Sequence, residues 1–270
     1  MELRLGPSGI GGKEEAEANL EVFAKMGLKA AEIAFTYGVY LDEENALRIG
    51  ERAKKLDISL SIHAPYFVNL NSLEKVKVEA SKKRILDCCR VGHYLALAWK
   101  GKRKTSIVIH PGYYSNMGSS QALENIKKQV LELMEEVKKN KWEVTLCFEL
   151  MGKINVFGSI DEISQLVDET GCGCCIDFAH VLARYQGDRK LEEIRKAFEK
   201  LKVWHVHFSG IVYGDKGEKN HRHTEEKEWK ELFEFFKTLK GMKEIVVVCE
   251  APNPSGDAVE GLKVSKKILG

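Results

Sequence analysis

A short apolar run followed by a longer charged run recurs about eight times along this chain, and that alternation restricts the fold more than any other feature. The apolar runs, at 2–6, 30–35, 58–63, 106–110, 143–149, 173–177, 203–208 and 245–249, read as strands. The charged runs, at 13–26, 43–55, 75–98, 119–139, 159–169, 190–200, 225–239 and 256–269, read as helices, with Gly27, Pro111, Gly112, Gly171 and Gly241 at the junctions. Strands joined through helical crossovers lie parallel. Eight such units imply an α/β chain closed into a (β/α)8 TIM barrel, which takes roughly 250 residues. The 270 residues are therefore expected to form one domain over 1–270. A doubly wound open sheet is the competing topology. It carries a glycine-rich phosphate loop after its first strand, and Gly6-Pro-Ser-Gly-Ile-Gly-Gly12 does not fit that pattern.

At or beside the carboxyl ends of the third to eighth strand runs stand His63, His110, Glu149, Asp177, His207 and Glu250. Barrel enzymes place their sites at this carboxyl end. Side chains alternate faces along a strand, so residues that share parity with these six also point inward. They include Ser59, Ser61, Ser106, Val108, Thr145, Cys147, Cys175, His205 and Val248, mostly small enough for a narrow interior. The intervening residues, such as Ile62, Ile109, Phe148 and Val206, are larger and apolar and suit the layer beneath the helices. One strand-end histidine is usually a hydrogen-bonded structural residue; six polar ends in succession are a constellation. Three carboxylates converging with three imidazoles need compensation, and divalent cations supply it. Mixed nitrogen and oxygen donors suit zinc or manganese. His180, His221 and His223 lie in following loops, and nine donors fit two or three ions. His205 lies deeper and reads as a core or supporting group, and His93 as structural.

Composition narrows the setting. Hydrophobic residues make up 44% and charged residues 30%, with a net charge of +2, so no global basic field demands a polyanion. No apolar stretch approaches the roughly 20 residues that span a bilayer. The opening residues lack a basic segment followed by an apolar run, so a cytoplasmic protein without a signal peptide is expected. The seven cysteines lie mostly in apolar runs and read as reduced, buried thiols, Cys172-Gly-Cys-Cys175 included. The basic run Lys100–Lys104 precedes the fourth strand and reads as a solvated loop.

Taken in order, the motifs resemble those of the endonuclease IV family of apurinic/apyrimidinic endonucleases. They are His63-Ala-Pro-Tyr66 with Asn69-Leu70, His110-Pro-Gly112, Glu149, Cys175-Ile-Asp177-Phe-Ala-His180, His207, His221-Arg-His223 and Glu250-Ala-Pro252. The resemblance implies a trinuclear zinc centre that cleaves double-stranded DNA 5′ to abasic sites. It assigns His63, His110 and Glu149 to a first ion. Glu149 (bridging and catalytic), Asp177, His207 and Glu250 go to a second, and His180, His221 and His223 to a third. Three such ions against three carboxylates leave a centre of about +3, which suits a phosphodiester. The expected partner is abasic duplex DNA, contacted by Tyr66, Asn69 and Arg222, and the expected form is a monomer with no membrane attachment.

Around the mouth, Tyr37, Tyr40, Tyr66, Phe67, Tyr113, Tyr114, Phe157, Tyr185 and Tyr213 are candidates for stacking on bases. Lys153, Arg184, Arg189, Lys216, Lys219 and Arg222 are candidates for phosphates. Three departures from the family pattern stand out. His221 occupies an acidic position, the first glycine-rich turn lacks a histidine, and the loop 36–41 lacks an arginine. Two other functions compete: a sugar isomerase or epimerase with one or two ions, for which Glu149, Asp177, His207 and Glu250 suffice, and a non-catalytic barrel that binds damaged DNA.

Overall fold

A computed structural model describes residues 1–270. Eight parallel strands form one sheet: β1 (Glu2–Pro7), β2 (Ala30–Ala34), β3 (Ser59–His63), β4 (Thr105–Ile109), β5 (Val144–Glu149), β6 (Gly173–Asp177), β7 (Val203–Phe208) and β10 (Glu244–Cys249). Their order, β1-β10-β7-β6-β5-β4-β3-β2, follows the chain around a ring. The seam closes where Gly9 N donates to Glu32 O (2.8 Å) and Lys29 N to Leu5 O (2.9 Å). The ring is a (β/α)8 TIM barrel, as the alternation predicts. Helices α1 (Ala16–Lys25), α2 (Glu43–Lys55), α3 (Lys75–Leu97), α4 (Ser119–Lys139), α5 (Ile160–Thr170), α7 (Leu191–Phe198), α8 (Glu226–Thr238) and α9 (Pro254–Leu269) surround it. No helix is long and apolar enough to cross a membrane.

The alternation of faces also holds. Ile62, Ile107, Ile109, Phe148, Ile176, Val206 and Val247 join the large apolar layer between sheet and helices. Val108, Cys147 and Cys175 form a separate small cluster inside the barrel. The staggered register aligns Glu149 with Cys175 and His205, and Asp177 with His207 and Val248, so Glu149 and Asp177 stand one layer above Cys147 and Cys175, and His207 above His205. All seven cysteines are buried and free.

Two elements depart from the sequence reading. The segment after β7 is not a loop but an antiparallel hairpin, β8 (Gly210–Gly214) and β9 (Gly217–Arg222). The run Phe178–Arg184 forms a further helix, α6, started by Asp177, whose side chain accepts from His180 N at 2.7 Å. The basic run before β4 is also more than a solvated loop. Arg103 grips Glu244 with two nitrogens at 2.7 and 2.8 Å, and Arg4 Nε reaches the same carboxylate at 3.0 Å, closing the barrel floor.

At the seam, β1 passes so close to β2 that a Cβ on Gly6 would lie 1.6 Å from the Ala30 carbonyl oxygen. Both groups are backbone and neither can swing aside. Gly6→Ala is therefore expected to cost about 3 kcal/mol, the upper end of ordinary overpacking, although alanine normally favours an ordered chain. Urea unfolding measures it, and an unchanged midpoint would contradict the seam geometry.

Candidate metal centre

Each polar strand end projects into the barrel mouth because its neighbours on either side are apolar and claimed by the outer layer. The outcome is four overlapping groups of potential ligands whose donor atoms lie within 4.8 Å of one another: His63, His110 and Glu149; Glu149, Asp177, His207 and Glu250; His63, His207 and Glu250; and, deeper, Cys175, His205 and His207. Glu149 is common to the first two. Its Oε2 lies 2.9 Å from His110 Nε2 and 3.4 Å from His63 Nε2, whereas Oε1 lies 3.1 Å from His207 Nδ1 and 3.5 Å from His180 Nδ1. One carboxylate thus faces two pockets.

The donor set fits divalent cations on a specific ground. Glu149 Oε2 and Asp177 Oδ2 are buried and have no hydrogen-bond partner. An orphaned buried carboxylate oxygen is costly. Oε2 nonetheless has an imidazole nitrogen at 2.9 Å, out of line for a hydrogen bond. Two donors on a tetrahedral ion with bonds of about 2.0–2.1 Å sit about 3.3 Å apart without pointing at each other, which is this arrangement.

Without metal, the cluster compensates with protons. Burial works against a charged His63, but Glu149 beside it outweighs burial and raises it to about 9. His110 shares that carboxylate, and there burial wins and lowers it, so the pair retains one proton. Burial also opposes charge on His180 and His207, yet Asp177, Glu218 and Glu149 around the first, and Cys175, Glu250, Glu32 and Glu149 around the second, raise both well above the usual imidazole value. Asp177 is pushed up to about 6 by burial and by the neighbouring Glu149 and Glu250, against the opposing pull of His180. Metals bind deprotonated imidazole, so uptake at pH 7 must expel these protons. The sign follows: affinity rises with pH, and the His63 contribution stops growing above about pH 9. Calorimetric zinc titration in buffers of different ionisation enthalpy should detect about three protons released at pH 7, from His63, His180 and His207. Proton-neutral uptake would contradict this charge state.

Two residues of the site were not anticipated. Glu32 on β2 is buried beneath the centre, accepts from Ser61 Oγ (2.8 Å), and lies 3.1 Å from His205 Nε2 and 3.0 Å from His207 Nε2. The contact with His207 Nε2 is out of line for a hydrogen bond, and the other ring nitrogen, Nδ1, faces Glu149 and Glu250. His205 is thus a supporting group, as its depth suggests. Applying the alternation to β2, where Glu32 pairs with inward Ser61, identifies it. The second is Glu218 of β9, whose Oε2 is 3.0 Å from His180 Nε2.

His180 and His221 stay beside the centre, with ring centroids 5.7 Å apart. His223 does not. It is 61% exposed and its Nδ1 lies 2.8 Å from Asp257, because β9 ends at Arg222 and the chain turns toward α9. Arg222 is held within the chain: its two terminal nitrogens bind Glu228 at 3.0 and 2.9 Å. Asn69 Oδ1 accepts from Asn71 N and Tyr113 N, tying the loops after β3 and β4 together. Arg184 donates to the carbonyls of Met151, Lys153 and Val156, Arg189 pairs with Glu231, and Phe157 is core. Tyr66 stands over His63 and His110, its ring 5.6 and 5.5 Å from theirs.

A family model described as a xylose isomerase-like TIM barrel matches residues 20–268. An uncharacterized protein of Methanocaldococcus jannaschii is 34% identical over 264 residues, covering 93% of this chain and 91% of that protein. A probable endonuclease 4 of Mycoplasma genitalium is 26% identical over 213 residues, covering 73% and 68%. Among solved structures, a D-tagatose 3-epimerase-like protein matches with a TM-score of 0.73 at 20% identity, covering 100% of this chain and 97% of that one. SacUVDE matches with a TM-score of 0.71 at 17% identity, covering 95% and 88%. At these identities the structural likeness is one of fold. The match runs through nearly the whole ring of strands that carries the centre, and the chain belongs to the xylose isomerase-like TIM barrel family, with endonuclease 4 proteins among its relatives.

Proposed function

We propose that this chain is a zinc-class hydrolase that cleaves the DNA phosphodiester 5′ to abasic sites. The observation that carries the reading is the position of Glu149 between two ligand pockets, with His63 and His110 completing the outer one. A sugar epimerase needs only the inner set of Glu149, Asp177, His207 and Glu250. Two imidazoles added beside the same carboxylate provide for a second ion, which suits a phosphodiester. When bound, paired ions supply positive charge for the phosphate and an activated water.

The chain's own residues do the rest. Glu149 fixes the spacing of the two pockets from one rigid strand end. Glu32 places a buried carboxylate 3.0 Å behind His207 Nε2, while His207 Nδ1 faces Glu149. The rim is open and aromatic: Tyr37, Tyr66, Phe67 and Tyr113 are 87%, 56%, 59% and 52% exposed. Exposed rings suit bases lifted from a stack better than an enclosed sugar. Lys216 and Lys219, exposed on the hairpin and outside every ion pair, are available for backbone phosphates.

The epimerase reading retains one specific support, the close fold likeness to ketose epimerases. Parallel assays of the zinc- and manganese-loaded protein separate the two. Nicking of an abasic duplex with no exchange among ketohexoses is expected, and Tyr66→Ala should weaken abasic-DNA binding about tenfold without loss of metal. Ketose epimerisation without nicking would replace the proposal. Tight binding to abasic DNA by a fully metallated protein that never nicks would favour the non-catalytic barrel.

A further inference from the structure

We infer that the hairpin supplies a third metal position in which Glu218, together with His180 and His221, takes the place that the motif resemblance gives to His223. The assignment rests on the metal-dependent reading of the centre. Four observations converge on it.

Glu218 Oε2 is buried and has no hydrogen-bond partner, although His180 Nε2 is 3.0 Å away. This is the same signature as Glu149 Oε2 beside His110: two donor atoms close together and not in line. His180 Nδ1 lies 3.0 Å from the Leu150 carbonyl oxygen, to which it donates, so on the deprotonated ring the lone pair sits on Nε2, turned to the Glu218 oxygen. A proton holds that place in the metal-free protein, and a bound ion would displace it.

The hairpin is built to bring Glu218 there. In β9, Asn220 pairs with Val212 but Glu218 pairs with Tyr213, so Lys219 is an extra residue in the strand. Without that bulge Glu218 and His221 would face opposite sides. With it, they sit opposite Tyr213 and Ile211, which share one face and pack on α6, the helix that carries His180.

Gly152 leaves the space. A Cβ there would fall 2.3 Å from Glu218 Oε2 and 3.0 Å from the His180 ring. The hairpin tip is anchored to this same segment, with Gly217 bridged to Lys153 and approaching Gly152 O so closely that a Cβ on Gly217 would lie 2.0 Å from it.

Finally, His221 is oriented and His223 is not available. Ser209 Oγ lies 2.6 Å from His221 Nδ1, which leaves Nε2 as the free donor, while His223 is committed to Asp257. The missing acidic residue at position 221 is thus restored from three residues upstream, and the carboxylate count of the centre is kept.

The test counts zinc by mass spectrometry in the full-length, zinc-loaded protein and locates it by anomalous diffraction. The wild type is expected to hold about three ions per chain, with one peak between His180 and Glu218. Glu218→Gln is expected to lose that peak alone and His223→Ala to keep all of them. Gly152→Ala, which alters no ligand, is expected to lose the same peak as Glu218→Gln and serves should that variant fail to fold. No peak there in the wild type, its retention in both Glu218→Gln and Gly152→Ala, or its loss in His223→Ala would overturn the assignment. Incision of abasic DNA is scored separately: a filled third position with no incision leaves this inference standing and removes the nuclease reading, and incision without that peak does the reverse.

Discussion

Glu149→Gln is expected to fold, to lose metal from the two pockets it joins, and to lose at least about 10³-fold in turnover, or about 4 kcal/mol of transition-state stabilisation. The substitution is nearly isosteric, so packing is kept. What changes is chemistry. The amide retains one acceptor oxygen and replaces the other with an NH2 that must face either His63 and His110 or the His207 side. A donor then points at one pocket, and one negative charge leaves both. Burial raises the Glu149 carboxyl, but the imidazoles around it outweigh burial and hold it well below the usual range, so it is a carboxylate at neutral pH. Metal content and single-turnover incision on the same sample measure the effect. A folded Glu149→Gln protein with wild-type turnover would remove Glu149 from the role.

Asp177 is expected to show two separable losses. Its Oδ1 caps α6 through His180 N, and its Oδ2 is the orphaned oxygen aimed at the centre. Asp177→Asn keeps an oxygen for the cap and removes the charge. Asp177→Ala removes both. Both variants should lose an ion and at least about 10²-fold in activity, about 2.7 kcal/mol. In the metal-free protein only Asp177→Ala should lose the cap, about 1 kcal/mol. Thermal unfolding with and without chelator distinguishes them. Equal stability of the two metal-free variants would contradict the cap, and a full metal complement in Asp177→Asn would contradict the ligand.

The barrel was legible because its alternation is written twice in the sequence. Strand and helix runs alternate along the chain, and within each strand small inward residues such as Ser61, Val108 and Cys147 alternate with large outward ones such as Ile62, Ile109 and Phe148. Two residues fixed on alternating strand positions point the same way wherever the strand persists, which is why His63, Glu149, Asp177 and His207 converge as their spacing implies. Glu32 obeys the same rule but sits mid-strand rather than at an end, so attention to strand ends alone passes over it.

The failures cluster after β7. Residues 210–222 are polar and glycine-punctuated, and their pairing depends on a bulge at Lys219 that no periodicity reveals. His223 matches a motif by type, yet direction is set by the strand ending one residue earlier and by Asp257 waiting on α9. Arg222 there, and Arg184 earlier on α6, have the charge expected of phosphate contacts, but carboxylate and carbonyl partners within the chain claim them. Charge is visible in a sequence; which partner holds it is a property of the folded chain.

The central claim is tested most directly by incision of a duplex carrying one tetrahydrofuran abasic analogue, with the zinc of the same protein sample counted and the nicked ends offered to a DNA polymerase. The account predicts a single cut 5′ to the analogue, a 3′-hydroxyl that the polymerase extends, and activity that disappears with chelation and returns with zinc. A fully metallated protein that leaves the duplex intact would contradict it.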